Sequence, residues 1–366
     1  MKKTSKKDKK TPKKTKKRTS RSRRISLYGG IIFFVLFAIW AWIGAWFVHL
    51  PPETLAEQEK SLPSFIYDAL LAVGDPVADI TDGLGWTGTD VVYEYDTEAP
   101  EGEVLFAGAP KRIGEPAPKD IQVIDKGEFI IGWSPSLRHP VWVAYHVPVT
   151  AQPSYDAFPP QIVDGLYEVP NRPQFRKDPQ APSSPEAGAY AKSGFDRGHM
   201  APNFAIASRF GSTAQKKTFY MSNIAPQRPS LNRGIWRNVE HRIAELWPAK
   251  WGEVWVIVGC FTPIECPQSR LESSNVDIPE AFYQIMVCQS GMDVRVQALL
   301  FHRKDSSARW PLRFLVSVDE LERQTGLDFF PELPEFIQRP MESSRPTRLW
   351  PTRFIDTFKK LSVILH

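Results

Sequence analysis

The chain has 366 residues, 24% of them charged, and a net charge of +5, which is enough for one large or two modest domains once targeting segments are set aside. The charge is uneven: residues 1–24 hold fourteen of the 46 Lys and Arg and one acidic residue, so the remainder has 32 basic against 40 acidic residues and is near −8. That excludes a body that gathers polyanions by overall charge; any anion groove must be locally positive.

Residues 1–24 form a lysine-rich, low-complexity tail that cannot build a core. Residues 27–48 are apolar and carry no charged side chain. In a helix they span about 33 Å, against a hydrocarbon core of about 30 Å. No small-x-small cleavage site follows in HLPPETLAEQ, so a removed signal peptide fits poorly. Trp40, Trp42 and Trp46 suit an interfacial position. The segment 25–50 is therefore expected to be a single-pass signal anchor in a cytoplasmic (inner) membrane. The basic tail would lie in the cytoplasm and the body on the far, extracytoplasmic side.

Residues 51–120 read as a juxtamembrane spacer, with a short amphipathic helix over 64–73 and a Pro/Gly/Ala-rich run over 98–118. The acidic run DPVADITDGLG lacks the alternate-position spacing of an EF-hand and reads as a solvated loop. Strands are expected over 128–133 and 141–147, with His146 structural. The Pro-rich run 148–185, which contains Arg172 and Arg176, is expected to be a surface loop.

The stretch 195–240 concentrates the chemistry. His199 follows Asp196-Arg197-Gly198, expected to be a tight turn because glycine reaches backbone angles closed to other residues. An imidazole of pKa about 6.5 is a usable base near neutrality. Arg197 offers a fork of donors that suits phosphate. Asn232 is expected to cap a helix whose apolar face is Ile235, Val239, Ile243 and Leu246. Asn232, Trp236 and Glu240 are four apart and share one side of it. Asn232 and Glu240 then sit about 12 Å apart along the axis, so the amide would ligate a cation directly and the carboxylate through water. Each residue alone has an ordinary reading, a structural His, a helix cap, a solvated charge, a surface ion pair. Their combination does not.

Further strands are expected over 254–260, 282–288 and 294–301, and a helix over 318–325 stopped by Gly326. The last residues, 355–361 among them, suit a short amphipathic helix that packs on the domain or lies on the membrane. Cys260, Cys266 and Cys288 contain no paired C-x-x-C, which removes structural zinc. A Cys260–Cys288 link, a Cys260–Cys266 link and free thiols all stay open. The chain holds no H-E-x-x-H, G-x-S-x-G or P-loop.

Three linked blocks resemble one family. Asp196-Arg197-Gly198-His199, Tyr220-Met221-Ser222-Asn223-Ile224-Ala225-Pro226-Gln227, and Leu231-Asn232 with Trp236 and Glu240 are similar to the signature of the DNA/RNA non-specific endonucleases. The likeness runs unevenly over 121–336, with 337–366 a C-terminal extension. It departs at Cys260, where the family usually has Pro. The resemblance implies an α+β, ββα-metal fold, with a central antiparallel sheet flanked by helices, here preceded by one transmembrane helix. It implies DNA and RNA as substrates, and cleavage to 5′-phosphate and 3′-hydroxyl ends. Mg²⁺ is the implied metal, with Mn²⁺ as an alternative. His199 would be the general base, Asn232 the direct metal ligand, and Glu240 the holder of metal-bound water. Arg197 and an upstream Arg, Arg172 with Arg176 as its rival, would face the phosphate. An idle scaffold of the same fold and a phosphoesterase for another anion are the competing classes. The oligomeric state, a homodimer included, stays open.

Overall fold

The computed structural model describes residues 104–149, 172–290, 293–303, 311–346 and 349–350, with residues 35–44, 46–47, 93–94, 161–163, 166–168 and scattered positions between 54 and 70. The basic tail, the acidic run at 75–85 and the segment 355–361 lie outside them, as does most of the helix expected at 64–73.

Fourteen strands occur among the described residues: β1 (Tyr93–Glu94), β2 (Lys111–Arg112), β3 (Gln122–Asp125), β4 (Phe129–Ser134), β5 (His139–Val147), β6 (Gln161–Val163), β7 (Leu166–Glu168), β8 (Asp196–His199), β9 (Ile224–Gln227), β10 (Val254–Phe261), β11 (Ala281–Ser290), β12 (Asp293–His302), β13 (Leu315–Val316) and β14 (Leu327–Asp328). The main sheet is antiparallel, ordered β1-β12-β11-β10-β5-β4-β3, with β13 on β12. Its central strands are apolar on both faces, because each face is covered by helices. Along β10, Val254, Val256, Val258 and Cys260 join one core, while Trp255, Ile257 and Phe261 join the other.

The first core is closed by two helical stretches. One is a kinked helix, Asn203–Thr218, broken at Gly211. The other is a run of five segments, Pro229–Leu231, Asn232–Trp236, Arg237–His241, Arg242–Leu246 and Trp247–Trp251. Ile235, Val239, Ile243 and Leu246 are buried there, as the periodicity requires. The second core lies under the helices Val318–Thr325 and Glu335–Ser343 and contains Val318, Leu321, Ile337 and Met341. Ser317 caps the first of these, and Gly326 ends it at φ 70°, which only glycine adopts at little cost.

Two expectations are corrected, the open choice for the cysteines is narrowed to free thiols, and part of the C-terminal extension is placed on the body. The packed body starts before residue 121: Phe106 and Ala117 are buried, and β2 pairs with β14. The 148–185 run is not wholly a surface loop, since Asp178, Ala181 and Ser184 are buried. The three cysteines are free, and β10 pairs Cys260 with Phe282 and Val254 with Cys288, so the two strand thiols stand at opposite ends of the ladder. Residues beyond 336 also pack: Leu349 and Trp350 enter the first core, where the Trp247 indole N–H donates to the Trp350 carbonyl at 2.9 Å.

Among the described residues no helix is long and apolar enough to cross a membrane. Residues 35–44 and 46–47 of the expected span are helical, and 27–34, 45 and 48 lie outside the described set.

Candidate active site

Asp196-Arg197-Gly198-His199 is a strand, β8, rather than a tight turn. It pairs antiparallel with β9, with Asp196 opposite Gln227 and His199 opposite Ile224. Gly198 is needed for space, not for its backbone angles: a Cβ there would meet Gln227 Oε1 at 2.1 Å. Asn223 fixes the chain just beyond His199. Its amide takes Ala201 N–H at 2.8 Å and donates to the carbonyls of Ala201 and Thr218 at 2.9 and 3.0 Å.

His199 is buried, and its Nε2 has no hydrogen-bond partner. Phe219 meets the ring edge-on at 4.9 Å and Phe175 lies 5.4 Å away. Burial first, then the charges of Arg172 and Arg197, push the imidazole down to about 3. Both arginines are exposed and lie over that aromatic wall, Arg197 4.3 Å from the Phe175 ring and Arg172 5.7 Å from Phe219. The charge of Arg172 also acts on Glu240. Arg176 points elsewhere: it stacks on Tyr220 at 4.3 Å and acts on Lys126.

Asn232 does not cap its helix. The helix starts at Pro229, whose ring presets the first turn, and Asn232 opens a π-helical segment containing the non-helical Gly234. The α-helical spacing drawn from Asn232 to Glu240 therefore does not carry across this wide turn. The Asn232 amide N–H donates to Asp196 Oδ2 at 2.9 Å, which ties helix to strand. Arg233 clamps the same carboxylate at 2.7 and 2.8 Å. Asp196 is lowered: these donors and the Arg233 and Arg197 charges outweigh its burial, the largest single influence. With the amide N–H so engaged, the Asn232 carbonyl oxygen is the atom of this side chain that could hold a cation.

Glu240 accepts the Trp236 indole N–H at 2.9 Å, and Trp236 is itself locked edge-on against Phe282 and Phe301. Its carboxyl group is enclosed, and burial pushes it up to about 8 despite the Trp236 hydrogen bond and the charges of Arg237 and Arg172. The site thus offers a carbonyl oxygen, a carboxyl group, an enclosed imidazole and exposed guanidinium groups. That donor set fits a hard, water-keeping divalent cation beside a phosphate.

Two features escaped the sequence reading. Tyr145 on β5 is fully buried, its hydroxyl has no partner, and Glu240 acts on it. Asp178 is also fully buried. It pairs with Lys126 Nζ at 2.7 Å and accepts the Ser222 hydroxyl. Arg176 N–H donates to the Phe219 carbonyl and Met221 N–H to the Arg176 carbonyl, so this anchor holds the Arg172–Asp178 segment beside the aromatic wall. A buried ion pair 52 residues apart leaves no local sequence signal.

A sequence model of the DNA/RNA non-specific endonucleases matches residues 109–336. The mitochondrial nuclease EXOG of Danio rerio is 32% identical over 223 residues, 56% of this chain and 59% of that protein. The mitochondrial endonuclease G of Homo sapiens is 31% identical over 157 residues, 39% of this chain and 51% of that protein. Nuclease C1 of Cunninghamella echinulata is 32% identical over 173 residues, 44% and 67% of the two chains. The chain spans about half the length of the mitochondrial relatives it matches. A solved structure of an EndoG/EndoGI complex superposes with a TM-score of 0.51 at 22% identity, covering 66% of this chain and 96% of that one, which shows the shared fold.

Proposed function

The chain belongs to the DNA/RNA non-specific endonuclease family, a family of phosphodiester hydrolases, and from that premise we propose a Mg²⁺-dependent nuclease that cuts DNA and RNA at the site around His199. The observation that carries the reading is the convergence of an unpartnered, enclosed His199 Nε2 with two exposed guanidinium groups, beside an Asn232 amide whose carbonyl is left open.

The roles follow from charge. With its basicity depressed, His199 is neutral at pH 7 and can accept a proton from the attacking water. Arg172 and Arg197 face the phosphate and neutralise the charge that grows on its oxygens. A bound phosphate would in turn offset these two charges, which are part of what depresses His199, and so return basicity to the base. Asn232 and, through water, Glu240 would hold the metal. When bound, that ion supplies Lewis-acid stabilisation of the phosphate and its leaving oxygen. Asp196 takes the Asn232 amide N–H, which would leave the amide oxygen for the metal.

The membrane tether belongs to the same proposal. At 35–44 and 46–47 the helix exposes Val35, Leu36, Phe37, Ile39, Trp42 and Trp46, an apolar surface better suited to lipid than to water. The basic tail would stay on the cytoplasmic side and the nuclease on the far side. The relatives carry the word mitochondrial in their names, and no compartment is transferred from them to this chain.

Plasmid and RNA cleavage by the full-length protein, with Mg²⁺ or with EDTA, tests the reading. Metal-dependent cutting of both supports it. A folded protein that binds but never cuts nucleic acid would make it an idle scaffold, and one cutting only small phosphoesters would make it a different phosphoesterase.

A further inference from the structure

We propose that Asp319, Glu322 and Glu342 form a calcium site on the opposite face of the sheet from His199. Asp319 and Glu322 sit on the helix Val318–Thr325 and Glu342 on the helix Glu335–Ser343, which covers the same core. One carboxylate oxygen from each comes within 4.8 Å of the other two. Calcium takes oxygens at about 2.3–2.6 Å, so ligands on its opposite sides stand about 5 Å apart. Magnesium, at about 2.0–2.1 Å, would need a tighter set.

Acidic clusters are common on surfaces, and Glu342 sets this one apart. It is 5% exposed, and its Oε1 is enclosed with no hydrogen-bond partner. An enclosed carboxylate oxygen without a donor is costly, and a cation at that point removes the cost. The charges acting on it, Glu322, Asp328 and Asp319, are all negative, and the one donor that reaches its carboxyl group is the neutral Gln338 amide. Glu322 already accepts the Phe329 N–H at 2.7 Å, which aligns its carboxylate between the two helices. The Gln338 amide is shared with Asp328 and the Phe329 carbonyl, each at 3.1 Å. The role is structural: the ion would clamp the last helix of the body to the helix that ends at Gly326. It does not depend on the nuclease reading.

The test is calcium titration by calorimetry of EDTA-stripped full-length protein, followed by thermal unfolding with and without CaCl2. Asn232→Ala serves as the control for calcium at the other site. The expected result is a calcium-induced rise in Tm that survives Asn232→Ala and is lost in Asp319→Asn, an exposed position where the substitution leaves folding intact. Glu342→Gln should abolish the calcium response too. Calcium binding that is unchanged in both variants, or lost only in Asn232→Ala, would overturn the site. So would no binding at millimolar calcium, which would leave the cluster as carboxyl groups sharing protons.

Discussion

At the scale of single residues, the site rests on what surrounds His199. Replacing it with Ala should lower kcat by about 10²–10⁴-fold while DNA binding and fold persist, because the side chain is asked only to move a proton. An unchanged kcat in a cleavage assay would remove it as the base. Its titration is itself a prediction. In the free protein the imidazole should stay neutral well below pH 6.5, and a bound phosphodiester analogue should raise its pKa, both readable from its NMR chemical shifts. The consequence for stability has a definite sign. The unfolded chain takes up a proton near pH 6.5 and the folded chain only near pH 3, so this group's contribution is present above 6.5 and shrinks as pH falls through that window. His199→Ala should accordingly lose less stability than the wild type between pH 6.5 and 4. Arg172→Ala should cut kcat more than Arg176→Ala, since Arg172 acts on both His199 and Glu240 while Arg176 lies over Tyr220. Equal losses would show that the upstream arginines contribute only general charge.

At the scale of elements, the pairing of β8 with β9 sets how closely the strand and the following helix approach. Gly198→Ala should cost about 1–3 kcal/mol in denaturant unfolding, because the methyl group overlaps the buried Gln227 amide. The cost should shrink when Gln227→Ala is added, and additive losses would mean the clash is not with that side chain. The same elements explain what the sequence made legible. β10 read clearly because both faces are buried and its run is continuously apolar, and β11 and β12 read clearly because apolar residues dominate runs interrupted by few polar side chains, Gln284, Arg295 and Gln297. The helix Val318–Thr325 read clearly because it carries a Ser cap and a terminal Gly at the right distance. β8 misled because Asp-Arg-Gly is turn composition locally, and only its partner β9 makes it a strand. Asn232 misled because a good capping residue was taken for the cap, when Pro229 had already started the helix. The kinked helix Asn203–Thr218 went unread: its buried Ala and Ile residues and Gly211 do not hold a single helical period. The residue types of the proposed site were legible from three short motifs. Their orientation was not, because it depends on Asp196, Phe175, Phe219 and the distant Lys126–Asp178 pair.

At the scale of the whole molecule, the proposed function requires an acidic body to bring a polyanion to one basic edge. Exposed Arg172 and Arg197 supply local positive charge there. Cleavage rates at sub-saturating substrate should therefore fall steeply with rising salt, as phosphate contacts dominate non-specific binding. A flat response would point to recognition of bases or of a small molecule instead. The central claim is that one metal-dependent site, with His199 as its base, hydrolyses nucleic acid. The most direct measurement is the single-turnover cleavage rate of full-length wild type and His199→Ala on the same DNA and RNA, across a Mg²⁺ series ending in EDTA. The account predicts that the wild type cuts both polymers, that EDTA stops it, and that His199→Ala binds DNA equally well but cuts about 10²–10⁴-fold more slowly at every Mg²⁺ concentration. Cutting by the variant at the wild-type rate, or wild-type cutting that persists in EDTA, would contradict it.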